Sequence, residues 1–406
     1  MIQKIKSLGP GLLFAGAAIG VSHLVQSTRA GADFGMGLIW ALVMAHLFKY
    51  PFFQFGARYT QATQKNLLEG YHQMHPAYLT IYFIVNLASM FTIQAAITLV
   101  TTGLALNILD LTIDPIIVST VITSICTLIL ILGQYKLLDK IMKIIILTLT
   151  CTTISALMIA AIKNENDWVW TQKLNFSQNE IPFLIAFLGW MPAPLDVSIW
   201  QSIWSQQKMK QFQNKNPLKT VLFDFNIGYI TTFVLGLCFL SMGAIVMHTE
   251  QIQFPNGALG FCKKLINMYT LNLGETASFF IAFAAFTTMF STTLTALDAS
   301  PRGMKITTQL FNIQHKNSYL LWILILNMGT ILLLSFFKHH MFKLIKIATI
   351  LSFLTAPFFA ILNFKLITSH HTPKEAHPTL SLKILSYLGI LFLIGFSIWY
   401  IVHLVF

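Results

Sequence analysis

Runs of about twenty apolar residues, each closed by a short polar turn, recur from one end of this chain to the other. A helix of that length rises ~30 Å, the thickness of a bilayer's hydrocarbon core. The pattern predicts about eleven membrane-crossing helices. They lie near residues 9–31, 36–61, 79–109, 114–134, 138–163, 182–204, 219–248, 274–299, 318–337, 341–368 and 384–405. The longest polar connections, 62–78, 164–181, 205–218, 249–273, 300–317 and 369–383, are too short for a second domain. Residues 1–406 therefore read as one all-α membrane domain.

Two spans depart from the common pattern. The first, GPGLLFAGAAIGVSHLVQSTRAGADFG (9–35), places Gly9, Gly11, Gly16 and Gly20 ahead of a Ser-His pair. The sixth, PFLIAFLGWMPAPLDVSIWQSIW (182–204), holds Gly189, Pro192 and Pro194 at its middle. Proline removes a backbone donor and collides with the preceding turn, so two so close together should interrupt the helix. Glycine loosens the first span in a similar way. Interruptions at corresponding places in the two halves predict a five-plus-five inverted repeat, with helices 1 and 6 broken around a mid-membrane site. On that division repeat one is 9–163, repeat two is 182–368, and 384–405 is an added helix. Carbonyls freed in lipid are costly unless satisfied, so those near Ala17, Ala18 and Gly189 are candidate cation ligands. The alternative is a pair of kinked helices that merely pack.

Composition agrees with the pattern. The chain is 55% hydrophobic and 10% charged, with a mean hydropathy of +0.69, whereas a soluble domain averages about 25% charged residues. The net charge of +12 is spread over alternate connections rather than gathered in a patch for nucleic acid. Lys4, Lys6, Arg58, Lys65, Lys136, Lys140, the lysines of 208–219, and Arg302, Lys305 and Lys316 all fall on one side. This positive-inside bias predicts a cytoplasmic N-terminus and, with an odd number of spans, an external C-terminus in a cell (inner) membrane. The opening Met1-Ile-Gln-Lys-Ile-Lys6 shows no cleavable-leader pattern. Cys126, Cys151 and Cys238 lie in apolar runs and Cys262 in a loop; with no CxxC pair they read as buried hydrophobes. Paired carboxylates, GxSxG, HExxH and a phosphate-cradling loop are all missing from the sequence, so neither an enzyme nor a resident cofactor is expected.

The motifs resemble those of the Nramp family of divalent metal transporters. The Gly9-Pro10 start and the AGADFG end (30–35) stand at the family's separation, TTGLALNIL (101–109) lies in the third span, and FSTTLTA (290–296) in the eighth. The resemblance covers nearly the whole chain. It implies an amino-acid/sodium symporter-like fold and alternating-access transport of a cation such as Mn, Fe or Zn. The family's Asp-Pro-Gly-Asn falls on Gly20, Val21, Ser22 and His23. Its metal-binding Asp position is thus Gly20, its Asn position His23, and its upstream carbonyl position Ala17. The family's Met-Pro-His-Asn falls on Met191, Pro192, Ala193 and Pro194, or, in another register, brings Asp196 to the Asn place. Its proton-route acids fall on Ala95 and Thr98. The chain keeps the family's frame and departs from it at both motifs.

Taken by their chemistry, His23, Met191 and Asp196 suit a transition metal better than hydrated magnesium. Each has a second reading: His23 as a hydrogen-bonded core histidine, Met191 as packing, Asp196 as the N-cap of the half-helix 197–204. Asp224 is expected to face a cytoplasmic vestibule. Asp298, with Ser291, Thr292 and Thr295, either lines a co-ion or proton path or caps a bend at 297–302. Lys49, at mid-span, must snorkel or offset a carboxylate, Asp196 and Asp298 being the candidates. The expected partners are a metal ion and the bilayer, with the oligomeric state undefined. A competing reading keeps the fold but moves an amino acid or small organic cation, because Trp190, Trp200 and Trp204 can hold an ammonium by cation–π contact.

Overall fold

The computed structural model describes residues 9–163, 180–212, 217–248, 257–274 and 278–405. Lys4, Lys6, Lys173, Lys215, most of the connection 164–181 and the first part of 249–273 fall outside the described residues. The first span is α1 (Pro10–Ala18), a π-helical turn (Ser22–Ser27) and α2 (Thr28–Phe34). There follow α3 (Ile39–Thr63), α4 (Leu67–Met74), α5 (Pro76–Ile108) and α6 (Pro115–Lys163). The sixth span is α7 (Glu180–Trp190) and α8 (Val197–Phe212). Then come α9 (Leu218–Met242, prolonged by a π-helical turn to His248), α10 (Ala258–Leu273) and α11 (Ser278–Leu310). The chain closes with α12 (Ser318–Phe337), α13 (Met341–Thr368) and α14 (Leu380–Val405).

Among the described residues, eight helices are long and apolar enough to cross a membrane. Of the other three expected crossings, two are the broken spans, and the one expected at 138–163 is the second half of α6, where Ile146–Ile162 is a shorter apolar stretch.

Four expectations need correcting. The spans expected at 114–134 and 138–163 form one uninterrupted helix, α6, of 49 residues. Between them Gln134 to Met142 offers helix formers and neither proline nor a glycine pair, so nothing stops the helix there. The connection 62–78 holds α4, whose start is a capping box: Asn66 accepts from the Glu69 amide while the Glu69 carboxylate takes the Asn66 amide. The connection 249–273 holds α10, and Cys262, expected in a loop, is buried there against the Val100 carbonyl. The eighth span runs on to Leu310, through Pro301.

Side-chain hydrogen bonds divide the helices into two bodies. In the first, His23 Nε2–H donates to Thr232 O at 2.9 Å, Tyr229 O–H to His46 O at 2.6 Å, and Tyr50 O–H to Asn226 at 2.8 Å. These bonds, with Thr60 O–H on Ser202 O at 3.5 Å, join the broken first span, α3, α8 and α9. In the second body, Thr101 meets Thr293 at 2.8 Å, Thr102 meets Ser119 at 2.7 Å, and Asn327 donates to Thr127 at 2.8 Å. These join α5, α6, α11 and α12.

Helix α9 splints the broken first span along its whole length. A Cβ on Gly11 would lie 2.1 Å from Asp224 O, and one on Gly228 2.0 Å from Gly11 O. At the far end, a Cβ on Gly31 would lie 1.9 Å from Leu240 O. Small residues at a membrane helix crossing let backbones approach where lipid supplies no hydrophobic drive. Both halves of the broken helix therefore keep their places although their own backbone does not connect them rigidly.

Candidate functional site

The first interruption is short. α1 ends at Ala18, Ile19 leaves helical geometry with ψ of 88°, and Leu24 N–H already bonds back to Gly20 O. The carbonyls of Gly16 and Ile19 face the Thr292 hydroxyl of α11, at 3.1 and 3.2 Å. Gly20 exists for this approach: a Cβ there would lie 2.8 Å from Thr292 Cγ2 and 3.0 Å from Oγ1. The position where the resemblance puts an aspartate is thus filled by a hydroxyl from the facing helix.

The second interruption separates α7 from α8 at Met191–Asp196. Its carbonyls converge on one group. Lys49 Nζ donates to Leu188 O and Gly189 O at 2.7 Å each, to Met191 O at 3.0 Å, and reaches Ala193 O at 3.4 Å. An ammonium has three donors, so the first three carbonyls saturate it. Lys49 is wholly buried, and no ion pair joins it to a carboxylate among the described residues. It does not snorkel: the unwound backbone solvates it, and of the two expected carboxylates Asp196 acts on it electrostatically without a contact ion pair.

Between the interruptions lies a cavity of about 20 Å³, room for about one water. Its walls are Ala17, Ala18, Gly20, Val21 and Ser22 from the first break, Trp190, Pro194, Val197 and Trp200 from the second, Ile93 and Ile97 of α5, and Thr292. None of these residues is charged.

Of the expected ligands, Ala17 and Gly20 line this cavity and the others are held away from its wall. Both His23 nitrogens are taken: Nε2 by Thr232 O and Nδ1 by the Ser22 hydroxyl at 2.7 Å. That is the core-histidine arrangement. Met191 Sδ accepts from the Ser27 hydroxyl at 3.7 Å. Asp196 directly precedes α8, with its carbonyl taking Ile199 N–H at 2.8 Å. Its Oδ1 is buried without a hydrogen-bond partner. Among the described residues, no group of three or more His, Cys, Asp or Glu could hold a metal by itself.

The expected pathway residues also have structural positions. Asp224 does not face a vestibule. Its two carboxylate oxygens cap the amides of Gly9 and Gly11 at 3.0 and 2.9 Å, at the positive end of α1. Asp298 is tied to Arg302 at 2.7 Å, Tyr319 at 2.6 Å and the Trp204 indole at 3.1 Å. Thr98 accepts from Gln94, while Ser291 and Thr295 donate to carbonyls of their own helix. Arg29 pairs with Asp33, one turn further along α2, at 3.4 Å. Two groups that matter most here were singled out in the sequence for other roles: Thr292, expected on a co-ion or proton path, bridges the first break, and Lys49, expected to snorkel or offset a carboxylate, fills the second.

Two interrupted helices meeting around a mid-membrane cavity inside a helical bundle define a membrane transporter of the amino-acid/sodium symporter architecture. The sequence matches the family described as Natural resistance-associated macrophage protein-like over residues 11–403. The chain belongs to that family, Nramp. It is 35% identical to an uncharacterised protein of Pasteurella multocida (strain Pm70), over 98% of this chain and 92% of that one. Its fold is similar to that of a manganese transporter of Eremococcus coleocola, with a TM-score of 0.73 at 15% identity over 96% of this chain and 84% of the other. It is also similar to MhsT, solved with L-phenylalanine, with a TM-score of 0.66 at 10% identity over 96% of this chain and 98% of that one.

Proposed function

We propose that the protein is a secondary transporter that carries a divalent metal cation across the membrane by alternating access. Family membership supports this reading, and so does the architecture, in which the broken spans border one cavity. The observation that carries the metal assignment is Asp196, a buried carboxylate at the second break whose Oδ1 lacks a partner. A carboxylate so placed is expensive unless a cation or proton joins it. Carbonyls of the breaks and the Met191 sulfur complete a donor set suited to Mn, Fe or Zn.

In this reading the first body rocks against the second. Few polar contacts tie the two, chiefly Thr292 on the Gly16 and Ile19 carbonyls and Trp204 on Asp298. Buried polar atoms without partners, Tyr82 Oη and both amide atoms of Asn86 on α5 and Gln201 Oε1 and Ser205 Oγ on α8, support a hydrated route toward the cytoplasm. The charge distribution supports a cytoplasmic N-terminus, an external C-terminus and residence in the cell (inner) membrane.

A second reading has its own observation. The cavity is walled by two indoles, aliphatic side chains, Ser22 and Thr292, and by no charged group, which suits an amino acid or small organic cation. Uptake of Mn(II) into dye-loaded proteoliposomes separates the two. The metal reading expects uptake above that of empty vesicles and a loss of about tenfold or more with Asp196→Asn, comparable to losing a group that holds a metal. Uptake no faster than in empty vesicles, with thermal stabilisation by amines and not by metals, would establish the second reading.

A further inference from the structure

A broken helix in lipid needs its freed carbonyls satisfied in every state the protein visits. A carrier that delivers its cargo returns empty, so the cargo cannot do this on both legs. Here the chain brings its own donor: four carbonyls from 188 to 193 surround one ammonium from a neighbouring helix, three of them at 3.0 Å or less. Such a carbonyl nest is the kind of site a desolvated cation occupies. Lys49 reaches it from the middle of α3, whose cytoplasmic half is held to α9 by Tyr50 on Asn226 at 2.8 Å and to α8 by Thr60 on the Ser202 carbonyl at 3.5 Å. The lysine stem is flexible, so the ammonium can withdraw while the helices stay packed.

We propose that Lys49 is the resident cation of this carrier: its ammonium fills the nest of the second interruption when no cargo ion is bound, and withdraws when one arrives. The empty carrier then returns with its backbone satisfied and needs no separate co-ion in the nest. Cargo and Lys49 compete for the Met191 and Ala193 carbonyls, beside the unpartnered oxygen of Asp196. The cargo part of this inference rests on the metal-carrier reading; the occupancy of the nest does not.

Two transport modes test the first part. Net uptake of radiolabelled Mn(II) requires the empty return, whereas exchange against internal unlabelled Mn(II) does not. Lys49→Met is expected to lower net uptake about tenfold or more, the rate equivalent of leaving a buried carbonyl unpaired, while exchange stays near the wild-type rate. Equal loss in both modes, or loss in neither, overturns the proposal. If the wild-type protein shows neither mode, the metal reading fails, and the nest is tested by itself with Lys49→Ala. Ethylammonium is expected to raise the melting temperature of that variant and not of the wild type, and tetramethylammonium, lacking N–H donors, to raise neither; no ethylammonium effect overturns the resident cation. Should the variants not fold, reductive methylation of the wild-type protein followed by mass spectrometry reads the same point. Lys49 is expected to stay unmodified while Lys65 and Lys374 react, and modification of Lys49 at their rate overturns the proposal.

Discussion

Asp224→Asn distinguishes a structural carboxylate from a pathway carboxylate. In the structure both oxygens of Asp224 accept amides from the first turn of α1, at 3.0 and 2.9 Å. Hydrogen bonds to a charged acceptor contribute about 1.5–3 kcal/mol each, and a carboxylate at a helix N-terminus adds ~0.3–1 kcal/mol. Asparagine keeps one acceptor and turns an NH2 group toward an amide N–H, so one bond is lost and a donor faces a donor. The expected loss is about 2–4 kcal/mol. With an unfolding entropy of ~2.1 cal/mol/K per residue, the 406-residue chain should melt about 2–5 °C lower. Size-exclusion recovery after a series of heating steps measures this in detergent, where unfolding is irreversible and the same scan rate must be kept. A variant that melts with the wild type but loses apparent metal affinity would refute the capping argument and return Asp224 to the pathway.

Other expectations follow from the same contacts. His23→Ala should cost about 1–3 kcal/mol of stability by removing the buried bonds to the Thr232 carbonyl and the Ser22 hydroxyl and leaving a cavity, and leave the KM for Mn(II) unchanged; a large rise in KM with unaltered melting would make His23 a ligand after all. Gly11→Ala, whose Cβ would sit 2.1 Å from the Asp224 carbonyl oxygen, should prevent folding or sharply cut the yield of monodisperse protein, whereas Gly395→Ala, which meets nothing within 4 Å, should be silent. Trp204→Phe removes the indole donor to Asp298 and should increase labelling of the cytoplasmic half-path by water-soluble thiol reagents at an introduced cysteine such as Ser205→Cys. Unchanged labelling would exclude that contact as an inner latch.

The positions of the spans and both interruptions were legible because apolar length, glycine and proline act locally. Gly20 and the Pro192–Pro194 pair mark the breaks at the places where the backbone leaves the helix. Helices α4 and α10 carried signals too: the Asn66–Glu69 capping box, and apolar positions 258, 261, 262, 265 and 266 at helical spacing. Both were hidden by the assumption that a polar connection is a loop. The continuity of α6 was hidden by the opposite assumption, that a polar patch ends a span. The site itself was only half legible. His23, Met191 and Asp196 were noticed through their chemistry, but whether a ligand is free depends on its partners, and Ser22, Thr232 and Ser27 have no signature as such. Backbone carbonyls have none at all, so nothing in the sequence could pair Lys49 with 188–193, although a lysine amid HLFKYPFFQF announced that something must satisfy it.

Ile97 lines the cavity between the two breaks, and a cysteine placed there reads the central claim directly. In a background lacking Cys126, Cys151, Cys238 and Cys262, Ile97→Cys is treated with a membrane-impermeant thiol reagent from one side of oriented vesicles and then from the other. Alternating access around one shared site predicts labelling from both sides, slowed in each case by Mn(II). Labelling from a single side only, or none while uptake continues, would contradict it.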